Sequence, residues 1–216
     1  MNPTTKLAIE FATMIANGWT SRYGQDDNTR HAFPKRFWYY NGADGFSSYT
    51  SGNSSSDCSA FITTVWAVAT ATAYKTDIAY DNNYVQGRKL VPLSRNITNG
   101  KMGSLWCPST EQMVSGNGIF KGFLSYGFEA IFAGSDLKPG DVCVINQNRA
   151  TGDDGHTFMI LEPSDENWYW DGNQKYFKVV HCSGGDNTHA IRIQDNWGIR
   201  TADGRSPTVL RYTYEH

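Results

Sequence analysis

One apolar segment constrains the fold of this chain more than any other. Over residues 58–74, apolar side chains recur at helical spacing with alanines between them, which predicts a buried helix. The preceding stretch, 52–55, is polar and has no regular hydrophobic period. The helix must therefore begin abruptly after a loop. The positions on its apolar face are Phe61, Val65, Val68 and Thr72.

Cys58 lies at the boundary between that loop and the helix. Ser56 or Asp57 is a good N-cap, so we expect Cys58 in the first helical turn. A thiol there feels the positive end of the helix dipole and nearby unpaired N–H groups, which favour the thiolate. Two interpretations stay open from this window alone: a catalytic cysteine, or a cysteine that follows a cap by chance.

The other three cysteines are Cys107, Cys143 and Cys182. No two cysteines form a Cys-x-x-Cys pair, which argues against a zinc ribbon and against a redox motif. A free cysteine behaves as a small hydrophobic residue, so we expect these three thiols to pack in the core. The sequence leads us to expect neither a metal nor a cofactor.

Bulk properties exclude several classes of function. A chain of 216 residues suits one domain with a sound core. The net charge of −2 gives no reason to expect nucleic acid as a partner. No uninterrupted apolar stretch is long enough for membrane insertion. The N-terminal segment is amphipathic and contains Glu10, so we expect no signal peptide and synthesis in the cytoplasm.

The hydrophobic period changes along the chain. Residues 5–17 predict a helix, 19–57 predict functional loops or an irregular subdomain, and 58–74 predict the strongest helix. The second half contains short apolar runs separated by turns, which predict strands. Helices followed by antiparallel strands describe an α+β domain. The expected strands lie at 141–145, 156–161, 176–181, 192–193 and 209–212.

Two histidines belong to these expected strands. His156 follows a glycine turn and begins one strand, and His181 closes the next. If the two strands pair antiparallel, the start of one lies beside the end of the other, and the imidazoles meet at one sheet edge. A cysteine nucleophile needs such a base and a group that orients it. The alternative is that His156 faces water and His181 is a hydrogen-bonded core residue.

Four segments resemble the motifs of the NlpC-type cysteine peptidoglycan hydrolases, in the order of that family. Asp57-Cys58-Ser59-Ala60-Phe61 resembles its Asp-Cys-Ser-Gly-Phe signature, with alanine in the glycine position. Residues 137–142 resemble its Leu-x-Pro-Gly-Asp-Leu segment. Residues 155–160 are similar to its Gly-His-Val-Gly-Ile-Tyr strand, and 179–183 to its Met-Ile-His-Ala-Ser segment. The resemblance covers about a quarter of the chain.

The resemblance implies a papain-like α+β fold, with N-terminal helices and the nucleophile at a helix N-terminus packed on an antiparallel sheet. It implies Cys58 as the nucleophile, His156 as the base and His181 as the third catalytic residue. In this hypothesis His156 already pairs with the thiolate before substrate binds. We expect Asp57, Ser59 and Tyr40 to line the substrate site, with Asp57 acting mainly as a cap. Tyr39 and Tyr49 are further candidates for the tyrosine of that family.

The chain departs from the family pattern in its spacing. Cys58 and His156 are 98 residues apart, which is long for the family, so 75–120 is expected to be an insertion in a single catalytic domain, 1–216. His156 and His181 are 25 residues apart, also a long interval. Glu162 or Asn167 could therefore orient the base instead of His181.

The expected function is hydrolysis of an amide bond in the peptide stem of bacterial peptidoglycan, most often between D-glutamyl and a diamino acid. A muramoyl–L-alanine amidase is the alternative within this class. Without an export signal, such an enzyme reaches the wall after lysis, as a phage endolysin, or by injection, as an antibacterial effector. We expect a monomer. The competing classes are a non-catalytic wall-binding domain and an acyl transferase or transglutaminase of papain-like fold.

Overall fold

The computed structural model describes most of the chain. The described ranges are 1–80, 89–98, 101–115, 121–132, 136–145, 155–163, 174–200 and 207–214. The helices are α1 (Pro3–Gly18), α2 (Asp27–Arg30), α3 (Ala32–Lys35), α4 (Cys58–Tyr74) and α5 (Thr110–Ser115). Strands of the first half are β1 (Trp19–Tyr23), β2 (Gly52–Ser56), β3 (Ser94–Thr98) and β4 (Lys101–Trp106). Those of the second half are β5 (Phe128–Ile131), β6 (Val142–Ile145), β7 (His156–Pro163), β8 (Gln174–Cys182), β9 (Ile191–Arg200) and β10 (Thr208–Tyr212).

The predicted helix at 58–74 is confirmed as α4. Every residue from Cys58 to Ala71 is buried, so the helix is covered on all sides rather than on one stripe. Helix α1 and strands β7 and β8 of the sheet pack against it. The chain also approaches it closely at Gly42, where a Cβ atom would overlap the carbonyl of Ala71. Helix α4 is therefore the centre of the main core.

Residues 19–57 hold short elements rather than loops alone. Strands β1 and β2 pair in parallel, with Trp19 opposite Gly52. Between them lie α2, α3 and two 3-10 turns, which had no hydrophobic period to reveal them. Buried rings hold this region together: Phe33 lies 5.1 Å from Phe37, centroid to centroid, and 5.5 Å from Trp19. Aromatic packing thus takes the place of regular structure.

The second half forms one six-stranded sheet in the order β5-β10-β6-β7-β8-β9. All of its pairings are antiparallel. Val142, Met159 and Val180 face the cluster that contains α4, whereas Cys143, Phe158 and Val179 belong to a second cluster. Because side chains alternate along a strand, these clusters lie on opposite faces of the sheet. The expected α+β class is confirmed.

The segment that leads into β6 contains a tight turn with a structural ion pair. Gly140 has a φ of +91°, a conformation that favours glycine. The Asp141 side chain is buried and accepts hydrogen bonds from the Lys138 N–H at 2.7 Å and from the Arg211 Nε at 2.8 Å. This turn therefore ties β6 to β10.

The expected insertion at 75–120 is described only in part. Strands β3 and β4 form an antiparallel hairpin. Helix α5 follows, and Ser109 and Gln112 cap it reciprocally, with each side chain accepting from the other's backbone N–H. Asn167 and the tryptophan-rich segment 168–170 lie outside the described residues.

Among the described residues, no helix combines the length and apolar character needed to cross a membrane.

Candidate active site

Cys58 is the first residue of α4, as the capping pattern predicts. The Asp57 carboxylate Oδ1 accepts a hydrogen bond from the Ala60 N–H at 2.7 Å, so Asp57 is the N-cap. Only 4% of Cys58 is exposed. The thiol is thus fixed at the N-terminus of a buried helix.

Burial dominates the electrostatics of this thiol. It raises the pKa of Cys58 to about 12, and the neighbouring Asp57 carboxylate acts in the same direction. The backbone N–H groups of Thr157 and Ser59 and the charge of Arg30 oppose this effect without overcoming it. Burial therefore opposes the thiolate that the position at the helix N-terminus favours, because loss of solvation disfavours the charged form.

A polar cleft of about 230 Å³ opens beside Cys58. It includes Asp57 and Ser59, two of the residues that the sequence suggested for substrate binding. Residues from four separate stretches of chain meet there, so the cleft exists only in the folded protein. The lining residues are Gln25, Arg30, Asp57, Cys58, Ser59, Ser109, Thr110 and Gly155.

The structure brings His156 and His181 together, as antiparallel pairing of their strands predicts. Strands β7 and β8 pair with Phe158 opposite His181. The His156 Nε2 and His181 Nδ1 atoms are 3.0 Å apart, and this hydrogen bond leaves one ring nitrogen of each histidine for other partners. Trp197 packs against the His181 ring at a centroid distance of 4.8 Å.

Both imidazoles are held neutral. Burial lowers the pKa of His156 to about 4, and the charge of Arg192 adds to this effect. Burial also lowers the pKa of His181 to about 3, and the nearby charges of His156 and Arg192 act in the same direction. At neutral pH the two rings therefore share a neutral hydrogen bond in which one donates and the other accepts.

His156 approaches the cleft through its backbone neighbours. Gly155 lines the cleft, and the Thr157 N–H faces the Cys58 sulfur. The His156 ring packs 5.9 Å from Phe158 and 5.6 Å from Trp197, on the side of the second cluster. Within the described ranges no hydrogen bond joins Cys58 to His156. The two imidazole rings thus pack on the face of the sheet opposite α4, and among the described contacts none joins either ring to Cys58.

The alternative orienting groups are placed elsewhere or are not described. Glu162 pairs with the Lys178 Nζ at 2.6 Å on the exposed surface. It lies six residues along β7 from His156, about 20 Å at 3.3 Å per residue. Asn167 falls outside the described residues. Of the named candidates with described positions, only His181 contacts the His156 ring.

Tyr40 does not lie at the cleft. Its hydroxyl is hydrogen-bonded to Thr72, near the end of α4. Thr72 is about 20 Å along the helix axis from Cys58, at 1.5 Å per residue. Tyr49 packs against Tyr40, and the Tyr39 side chain is 84% exposed. None of these three tyrosines has a described contact with the cleft.

Tyr23 is the tyrosine that lies near the Cys58 thiol, and the sequence analysis did not select it. Burial and then the charge of a Cys58 thiolate raise the pKa of Tyr23 to about 12, so the two groups are close in space. Gln25, which lines the cleft, donates a hydrogen bond to the Tyr23 hydroxyl at 3.0 Å. Tyr23 ends β1, a five-residue strand inside the irregular region, and no local signal marked it.

The remaining cysteines are all buried, as expected of packing thiols. Cys107 and Cys143 are fully enclosed. Cys182 is also close to Cys58, and its thiol donates to the Ser56 carbonyl at 3.4 Å. Among the described residues no cluster of three or more acidic, histidine or cysteine side chains is arranged to hold a metal ion.

Comparisons with protein-family models, with curated proteins and with solved structures find no match to this chain.

Proposed function

We propose that the chain is a cysteine hydrolase of papain-like fold that cleaves amide bonds. One observation carries the proposal: Cys58 begins a buried helix at a polar cleft, and the strand that borders this cleft begins with a histidine bonded to a second histidine. A nucleophile, a base and an orienting group are the three parts that thiol catalysis requires.

In the proposed reaction, the His156 Nδ1 accepts the Cys58 proton as the sulfur attacks the amide carbonyl. An S–C bond forms, and the carbonyl oxygen takes the negative charge. The Cys58 N–H, in the first helical turn, is one of the donors that a helix leaves for such an oxyanion. His156 then protonates the leaving amine as the C–N bond breaks. Water, deprotonated by the same histidine, hydrolyses the thioester and restores the thiol.

The electrostatics favour proton transfer during attack over a preformed ion pair. Burial keeps the Cys58 thiol and the His156 ring neutral. The His156 ring packs with Phe158 and Trp197 on the sheet face opposite α4, so the proposed reaction requires this ring, at the first residue of β7, to turn toward Cys58 when substrate fills the cleft. The bond to His181 fixes which nitrogen of His156 carries the proton.

The substrate class rests on the four motifs that resemble the NlpC-type enzymes. It is an amide of the peptide stem of bacterial peptidoglycan, with the D-glutamyl–diamino acid bond as the first candidate and the muramoyl–L-alanine amide as the second. In this proposal the monomeric enzyme acts on the wall after release by lysis, as an endolysin, or by injection.

Incubation with purified muropeptides, followed by mass spectrometry of the products, tests the reaction and identifies the bond. We expect cleavage by the parent chain and none by Cys58→Ala. Cys143→Ala is the matched control, because it truncates a buried cysteine on the other face of the sheet. Equal lysis of walls by Cys58→Ala and the parent would refute the enzyme proposal.

A non-catalytic wall-binding domain is the second candidate, and the burial of Cys58 favours it. A thiol that is 4% exposed resembles a packing residue more than an open nucleophile. This candidate predicts that the chain co-sediments with purified walls, releases no fragments and keeps its affinity in Cys58→Ala. The same muropeptide assay therefore separates the two candidates.

A further inference from the structure

Arg30 is the most highly connected side chain at the cleft, although its position in the sequence gave no reason to select it. Its Nε lies 2.8 Å from the Asp57 Oδ2. Its second amino group donates to the Ser59 Oγ at 3.0 Å and to the carbonyls of Cys107 and Pro108 at 3.0 and 2.6 Å. The guanidinium thus joins α2, the start of α4 and the loop before α5.

These contacts surround Cys58 in the sequence and in space. Asp57 precedes it, Ser59 follows it, and all three residues line the same cleft as Arg30. Ser59 also donates to the Asp57 Oδ1 at 3.1 Å, so Asp57, Ser59 and Arg30 form one network. The side chains of Arg30 and Asp57 are only 17% and 9% exposed, which strengthens their interaction relative to a surface pair.

The charge of Asp57 matters for the thiol. A carboxylate next to a cysteine disfavours the thiolate through repulsion of like charges. Arg30 places a compensating positive charge on that same carboxylate. Removal of Arg30 would leave the buried carboxylate unbalanced beside the sulfur, whereas removal of the carboxylate charge would leave the guanidinium to attract a thiolate.

We propose that Arg30 is a positioning residue that neutralises Asp57 and fixes the cleft wall, and that it thereby sets the reactivity of Cys58. The inference rests on the proposed function, since it takes Cys58 as the nucleophile. Arg30 acts through Asp57 and Ser59 and needs no contact with substrate. The guanidinium is suited to this role because its planar donors bind several oxygens at once.

Other titratable groups also lie around the Cys58 thiol. Tyr23 from β1 and Cys182 from β8 are close to it, and His156 begins the strand that borders the cleft. The first residue of α5 and the cap before it contribute only the uncharged Thr110 and Ser109 to the cleft. Among the described groups that line the cleft, Arg30 is therefore the only cation.

The test measures the rate of Cys58 alkylation by iodoacetamide across pH 7–10. Peptide mass spectrometry reads the Cys58 site separately from the other cysteines, and no substrate is needed. At pH values below the pKa of Cys58, we expect Arg30→Met to slow alkylation about tenfold. The reason is that a nearby charge shifts the pKa of a group by about one unit or more. Arg30→Lys keeps the charge but cannot make all the contacts of the guanidinium, so its rate should lie between those of Arg30→Met and the parent.

Two further variants separate charge from structure. Asp57→Asn keeps a good N-cap and should alkylate faster than the parent, because Arg30 is then unopposed. The double variant R30M/D57N should return to within about threefold of the parent. Equal rates for Arg30→Met and the parent would overturn the inference. So would a double variant as slow as Arg30→Met, because displacement of the loop would then explain the loss.

The Asp57→Asn result keeps the inference testable if Arg30→Met does not fold, and a rate no faster than that of the parent would contradict it. The experiment also separates this inference from the proposed function. Alkylation rates in the expected order without muropeptide cleavage would support the role of Arg30 and reject only the hydrolase. Cleavage by the parent with the order of rates reversed would reject the role of Arg30 alone.

Discussion

Because both buried histidines are neutral in the folded chain, we predict that the protein loses stability in mild acid. His156 and His181 have pKa values lowered to about 4 and about 3 in the folded chain, mainly by burial, from an ordinary value of 6.5. Above pH 6.5 both rings are neutral in the folded and in the unfolded chain. The stability that the fold has with two neutral rings is then fully present. As the pH falls below 6.5, the unfolded chain binds protons that the folded chain does not, so stability is lost.

The size of the effect follows from these values. Each pKa unit corresponds to about 1.4 kcal/mol, so a fall from pH 7 to pH 5 costs about 2 kcal/mol for each histidine and about 4 kcal/mol for the pair. Burial also lowers the pKa of His31, which adds to the loss. With a urea slope of about 2 kcal/mol per molar, the unfolding midpoint should fall by about 2 M.

Urea unfolding followed by tryptophan fluorescence at pH 7, 6 and 5 measures this loss. His181→Gln removes one titrating ring and can still bond to His156, so its loss between pH 7 and pH 5 should be about 2 kcal/mol smaller than that of the parent. His189→Gln is the control at an exposed turn. A parent chain whose free energy of unfolding changes by less than about 0.5 kcal/mol over this range would refute the reasoning.

Three substitutions away from the cleft test how the rest of the fold is held. Trp66→Ala should lower the free energy of unfolding by about 3–5 kcal/mol, since Trp66 is fully buried and packs 4.8 Å from the ring of Phe128. Asp141→Ala should cost about 3 kcal/mol by leaving Arg211 without its buried partner. Both are measured by urea unfolding, and losses below 1 kcal/mol would contradict them. Glu162→Ala removes only a surface ion pair, so it should cost less than about 1 kcal/mol and leave muropeptide cleavage unchanged; a loss of cleavage would contradict the choice of His181.

The sequence predicted the elements that have a hydrophobic period. Helix α4 was expected at 58–74 and lies at Cys58–Tyr74, and the strands of the second half fall where apolar runs alternate with turns. The meeting of His156 and His181 followed from antiparallel pairing alone. These features depend on local periodicity and short-range topology, and both can be seen in one sequence.

The cleft wall was less accessible to prediction. Tyr23 and Arg30 belong to elements of five and four residues, which are too short for a period to show. Their roles arise from contacts with residues far along the chain, such as those of Arg30 with Cys107 and Pro108. The pKa of Cys58 could not be predicted either. A helix cap can be inferred from neighbouring residues in the sequence, whereas the burial that raises this pKa comes from tertiary packing.

The origin of the cleft residues has a consequence for how the protein matures. Gln25 and Gly155 line the same cleft and are 130 residues apart in the chain. Contacts of such sequence separation require closure of long loops and are expected to form late in folding. A partly synthesised chain that ends before β7 has a cysteine and a helix but no complete site. Any activity at Cys58 would therefore be latent during synthesis and would begin only once the whole domain has assembled.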